Sequence, residues 1–123
     1  HDIGDELLQV VALRLSALLR SSDVVCRIGG DEFAVIIEHA NDHGFVAALA
    51  QKMVDAVAQV VVLQGHEIEV GASIGISVCP DHAHNMSDLL RCADLAMYRA
   101  KSLGRGQFCV YNADNTMPAT APS

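Results

Sequence analysis

Tryptophan is absent from this 123-residue chain and aromatic residues make up only 4% of it, although 51% of the residues are hydrophobic. A core must therefore be built from Val, Leu, Ile, Ala and Met, side chains that suit helices packed on a sheet. Basic residues are also scarce: eight Lys and Arg stand against fifteen Asp and Glu, a formal net charge of −7. That balance excludes a broad cationic surface for nucleic acid, since duplex affinity depends on many Lys and Arg contacts to phosphates. A small phosphate ligand held by a few placed cations stays compatible with it. No apolar run reaches the ~18 residues that a membrane span requires, and no charged n-region precedes an apolar signal segment, so no membrane contact is expected of this segment. The four cysteines, Cys26, Cys79, Cys92 and Cys109, form no CxxC pair. They offer neither zinc spacing nor a dense disulfide framework and read as reduced, buried residues of a cytoplasmic protein.

What is present reads as one domain over residues 1–112 followed by a disordered tail over 113–123, whose residues bury little. Between Gly4 and Arg20, Leu7, Leu8, Val11, Leu15 and Leu18 recur at helical spacing. Val24–Ile28 and Phe33–Ile37 are short β-branched runs separated by Gly29, Gly30, Asp31 and Glu32, a sequence that predicts a tight hairpin with the acidic pair at its tip. Asn41 and Asp42 offer caps for a second helix whose buried face would take Phe45, Leu49, Met53, Ala56 and Val60, ending at Gly65. Glu67–Val78 has the character of a strand, in which Ser73 and Gly75 leave room for another backbone to lie close. Ser87 would cap a third helix burying Leu89, Leu90, Ala93, Met97 and Ala100, with Gly104 just past its end and a last strand over Gln107–Tyr111. The order helix, hairpin, helix, strand, helix, strand implies an α/β (α+β) domain with an antiparallel-rich central sheet flanked by helices.

The hairpin tip is the first candidate for chemistry. Paired glycines admit a close approach of backbone to ligand, and the carboxylates of Asp31 and Glu32 suit a hard divalent cation such as Mg²⁺ or Mn²⁺. A plain turn with two solvated acids has the same local sequence. Asp5 reads equally as a helix N-terminal acid or as a carboxylate for the adjacent donors of guanine. Lys101 and Arg105, four apart near a helix end, either complement the helix dipole or converge on an anion. Arg20 and Asp23 would be a surface ion pair in isolation, and His39, His43, His82 and His84 lack a third ligand at a recognisable metal spacing.

Taken together, Arg27-Ile-Gly-Gly-Asp-Glu-Phe33, His1-Asp-Ile-Gly-Asp5 and Ala93-Asp94-Leu-Ala-Met-Tyr98-Arg-Ala-Lys101-Ser-Leu-Gly-Arg105 resemble the signatures of the GGDEF family, the diguanylate cyclases. The resemblance implies a nucleotidyl-cyclase-like fold that condenses two GTP into cyclic di-GMP with release of pyrophosphate, across a homodimer. It further implies that Asp31 binds the metal and Glu32 lies beside the reacting groups, that Gly29 and Gly30 admit the phosphates, that Asp5 selects guanine, and that Lys101 and Arg105 hold charge. Arg20-Ser-Ser-Asp23 resembles the family's RxxD product-inhibition site, to which Lys52 would add a second basic residue. The match begins inside the family pattern: its first strand, which carries a second metal-binding Asp, has no counterpart here, so the chain alone is expected to be inactive or nearly so. Non-catalytic receptors of cyclic di-GMP or GTP form the alternative class, and a plain dimerisation domain a third.

Overall fold

A glycine pair, β-branched runs and three amphipathic stretches lead to the architecture of the computed structural model, which describes residues 3–38, 43–69, 71–79, 82–104 and 106–112. Helix α1 (Ile3–Ala17) is followed by the hairpin β1 (Val24–Gly29) and β2 (Glu32–Glu38), helix α2 (His43–Ala58), a small hairpin β3 (Val61–Leu63) and β4 (His66–Ile68), strand β5 (Ser73–Cys79), helix α3 (Met86–Ser102) and strand β6 (Phe108–Val110). The predicted tail and the predicted caps Asn41 and Asp42 lie outside the described residues.

The main sheet has the order β1-β2-β5-β6. The α/β class is as expected, but the sheet is not antiparallel-rich: β1 and β2 run antiparallel, whereas β2 with β5 and β5 with β6 run parallel. The reason lies in the connections, because β2 reaches β5 through α2 and β5 reaches β6 through α3, and a helical crossover returns a strand in the same direction. Central position explains composition as well. Phe33 to Ile37 of β2 and Ser73 to Val78 of β5 are buried at every residue, so both strands read as continuous apolar or small runs, as strands covered on both faces do.

Alternation divides these residues between two layers. Phe33, Val35 and Ile37 join Ile74, Ile76 and Val78 in one core with Val11 and Leu15 of α1 and Val46, Ala50, Met53 and Val57 of α2. On the opposite face β5 offers Ser73, Gly75 and Ser77 to α3. A Cβ added at Gly75 would stand 1.9 Å from the Ala93 carbonyl oxygen, and the Ser77 hydroxyl donates to the Leu89 carbonyl oxygen at 2.8 Å. The backbone approach predicted for Gly75 is therefore real, and α3 lies almost directly on the strand.

Three local expectations are corrected. The buried face of α2 is Val46, Leu49, Ala50, Met53 and Val57, while Phe45 is exposed and Val60 falls beyond the helix, also exposed. A stripe begun one residue later fits the 3.6-residue period equally well. The single strand expected over Glu67–Val78 is broken: His66–Ile68 pairs with β3 through a two-residue turn in which Gln64 (φ 52°) and Gly65 (φ 79°) are both left-handed, the geometry that matches strand twist in tight hairpins. The α3 cap is Asn85 rather than Ser87, its side chain accepting from the Asp88 amide at 2.8 Å.

Candidate active site

The hairpin register pairs Arg27 with Phe33 and Gly29 with Glu32, with an irregularity between Arg27 and Gly29. Gly30, at φ +32°, and Asp31 form the connection. The acidic pair is thus divided, Asp31 at the tip and Glu32 as the first residue of β2. Two hydrogen bonds fix the tip from either side. Arg27 Nε donates to the Gly30 carbonyl oxygen at 3.0 Å, and the Ser73 amide donates to the Asp31 carbonyl oxygen at 2.9 Å. Arg27, given no role by its place in the sequence, therefore braces the turn that carries Asp31. The carboxylate of Glu32 lies alongside Gly29, where a Cβ would come within 3.2 Å of Oε1.

From the far end of the chain α3 brings Lys101 to this place. Its Nζ lies 2.5 Å from Glu32 Oε2, in an ion pair whose carboxylate is mostly covered. The hydrogen bond to Glu32 is the main influence raising the Lys101 pKa, the field of Glu32 adds to it, and Asp31 contributes a smaller attraction. Lys101 therefore stands as the counter-ion of Glu32. Asp5 is exposed in the first turn of α1, and Lys52 is exposed on α2. Arg105 lies outside the described residues. Among the described residues no group of three or more His, Cys, Asp or Glu side chains is gathered tightly enough to enclose a metal ion.

A second constellation forms at the turn after α1. Asp23 accepts from the Arg20 amide at 2.9 Å, from Arg20 Nε and Nη2 at 3.2 Å each, and from the Glu38 amide at 3.0 Å; Arg20 Nη2 also donates to the Glu38 carbonyl oxygen. Burial alone would raise the Asp23 pKa, but the bonds from Arg20 and the Glu38 amide outweigh it and hold the carboxyl below its usual value. Arg20 also stacks over Phe45, 5.9 Å from the ring centroid. Phe45 and Lys52, seven residues apart, share one stripe of α2. A cavity of about 250 Å³ opens here between Ser16, Leu19, Arg20, Ser21, Asp23 and Val25.

The family model described as "Diguanylate cyclase, GGDEF domain" matches residues 1–107. The chain belongs to the GGDEF family. It is 40% identical over 121 residues to the bifunctional diguanylate cyclase/cyclic di-GMP phosphodiesterase MucR of Pseudomonas aeruginosa, covering 98% of this chain and 17% of MucR. It is 36% identical to the diguanylate cyclase TpbB of the same species, covering 86% of this chain and 25% of that protein. Among solved structures, the isolated GGDEF domain of TpbB from Pseudomonas aeruginosa aligns with a TM-score of 0.79 at 34% identity, over 93% of this chain and 67% of the other. An EAL/GGDEF domain protein of M. capsulatus aligns with a TM-score of 0.73 at 39% identity, over 89% of this chain and 71% of that one. The chain thus spans about a sixth to a quarter of the length of these two curated relatives.

Within this GGDEF domain the structure brings together Gly29, Gly30, Asp31, Glu32 and Lys101, five of the residues singled out by sequence. Arg20 and Asp23 meet as well, but mainly each other: Asp23 is the hub of a backbone turn. Two contributors were assigned no role from the sequence, although Arg27 opens one of the quoted motifs. Arg27 acts through a carbonyl, and Arg14 donates from Nη1 to the Gln59 and Ala56 carbonyl oxygens at 2.7 and 3.3 Å and from Nη2 to that of Val60 at 3.2 Å, closing the C-terminal end of α2.

Proposed function

We propose that this domain condenses two GTP into cyclic di-GMP, each 3′-hydroxyl attacking the α-phosphate of the GTP held by a facing copy of the chain. The new bond joins the 3′-oxygen to the α-phosphorus, the bond from that phosphorus to the bridging oxygen breaks, and pyrophosphate leaves with the electron pair. The observation that carries this reading is the Glu32–Lys101 ion pair at 2.5 Å, which joins two motif segments 69 residues apart at one hairpin.

Asp31 and Glu32 present hard carboxylate oxygens of the kind that Mg²⁺ or Mn²⁺ takes, so the donor chemistry fits, with Asp31 as the metal residue. When bound, the cation supplies Lewis acidity at the phosphoryl oxygens and neutralises charge on the pyrophosphate. Glu32 would lie beside the reacting groups as a metal or proton-handling carboxylate. Lys101, with Arg105, offsets phosphate charge at the end of α3, and Gly29 and Gly30 admit the phosphates beside the hairpin backbone. Asp5 selects guanine, since a carboxylate matches the neighbouring N1–H and N2–H₂ donors that adenine lacks.

Among the described residues two carboxylates meet at the tip, and the family pattern places another in a strand upstream of His1. The domain is therefore proposed to need that strand, and a second copy, for turnover, with residues 1–123 alone inactive or nearly so. Product inhibition is proposed at the cavity beside Arg20 and Asp23, with Lys52 on the Phe45 stripe as a further cation. Arg20 Nη1 is proposed as the ligand-binding group there, because Nε and Nη2 bond Asp23 and the Glu38 carbonyl while the Asp23 oxygens are committed to Arg20 and the Glu38 amide.

The test is chromatographic quantification of cyclic di-GMP from GTP and Mg²⁺, in the polypeptide extended upstream, with Asp31→Ala as the control. Product that disappears in the control is expected. A folded dimer that binds cyclic di-GMP but makes none would place the domain among the receptors instead.

A further inference from the structure

Lys101 is bonded to the carboxylate that the proposed reaction needs for its own chemistry, and this has a consequence for the order in which ligands enter. Glu32 Oε2 is taken by Lys101 Nζ at 2.5 Å, Glu32 Oε1 lies along Gly29, and Asp31 stands next to Glu32 at the tip. A divalent cation drawing on the Glu32 carboxylate would compete with Lys101 for its oxygens and would face a like charge beside it. A triphosphate changes the balance, because it gives the displaced ammonium an anion of higher charge to hold.

We infer that Lys101 is an internal competitor of the divalent cation: it occupies Glu32 in the nucleotide-free domain and moves to the phosphates when the cation and GTP arrive together. The site is thereby biased toward the metal–nucleotide complex over the bare metal. The pair also keeps the Glu32 carboxylate held in place while the site waits. Lys101 is in this sense a positioning residue for Glu32 as well as a phosphate ligand. Two features of the fold make the exchange feasible. Lys101 is more than half exposed at the last turn of α3, free to swing, whereas Glu32 is fixed in strand register opposite Gly29.

The inference rests on the proposed metal site, and its test separates the two. Mn²⁺ alone is titrated, with free ion followed by electron paramagnetic resonance, into the nucleotide-free polypeptide extended upstream of His1. The proteins compared are the parent and its Lys101→Gln, Asp31→Ala and Arg91→Gln variants. Arg91 lies on the same helix, paired with Asp88, and controls for the loss of one positive charge. Lys101→Gln is expected to bind Mn²⁺ roughly five- to tenfold more tightly than the parent, the scale for removing a unit charge roughly 5 Å from a divalent ion in a water-like medium. Arg91→Gln is expected to match the parent and Asp31→Ala to lose the site. With a non-hydrolysable GTP analogue present the order reverses, Lys101→Gln binding the Mn²⁺ complex more weakly than the parent. Equal or weaker binding of bare Mn²⁺ by Lys101→Gln, with Asp31→Ala still deficient, overturns the competition and leaves the metal site standing. Binding by none of the proteins, or binding indifferent to Asp31, overturns both.

Discussion

Replacing Gly75 by Ala inserts a methyl group where α3 lies on β5. The added Cβ would stand 1.9 Å from the Ala93 carbonyl oxygen, 2.3 Å from the Met97 amide nitrogen and 2.7 Å from Met97 Cβ, whereas ordinary contact begins near 3.4 Å. Two of these atoms are backbone and cannot rotate away, so the helix must retreat by more than an ångström along a face that buries Leu89, Cys92, Ala93, Ala96, Met97 and Ala100. Overpacking of a tight core costs about 1–3 kcal/mol, and a clash with helix backbone belongs at the upper end, about 3 kcal/mol. For a domain of this size that lowers the melting temperature by on the order of 10–15 °C. Thermal unfolding followed by far-UV circular dichroism reads the change directly. Gly65→Ala is the internal comparison: it imposes a left-handed φ on alanine with nothing within 4 Å, and is expected to cost only about 1 kcal/mol. Should Gly75→Ala melt no lower than Gly65→Ala, the close approach of α3 to the strand, and the account of how Lys101 is carried to Glu32, would be refuted.

Three further outcomes are expected. Arg14→Ala removes the donors that close the end of α2 and should destabilise by about 1–2 kcal/mol in urea unfolding, with Arg14→Lys recovering only part because it lacks the planar fork. Asn85→Ala should cost about 1 kcal/mol and Ser87→Ala markedly less, since the amide of Asp88 bonds Asn85; melting curves of the two distinguish the caps. Asp23, whose pKa is held below the usual 3.8, contributes stability that is fully present above pH ~4 and is lost as pH falls through its folded value; Asp23→Asn should therefore flatten the acid limb of a stability-against-pH curve, and an unchanged limb would contradict the assignment.

Much of the site was legible in the chain because its chemistry is written locally. Gly29-Gly30-Asp31-Glu32 predicts a hairpin by turn preference alone, and the register of β1 with β2 puts Asp31 at the tip. Gly75 was legible for a similar reason, since a residue without a side chain in a strand marks where something lies close. The misplaced stripe of α2 and the unseen β3–β4 hairpin show where local reading fails. Phe45 and Val60 are apolar, yet burial is decided by which face meets the sheet, and three-residue strands carry too little periodicity to stand out.

By itself, the order of residues determined the three helices, the strands of the main sheet, the turn at the tip and the identity of the charged groups, because these follow from backbone preferences and side-chain chemistry within a few positions. Only the tertiary structure decided that β2 and β5 run parallel, that Lys101 meets Glu32 across 69 residues, that the Ser73 amide holds the Asp31 carbonyl, and that Asp23 serves the Glu38 amide. Those are relations between segments far apart in the chain, and they are set by which apolar faces can be buried together, a property no single segment possesses.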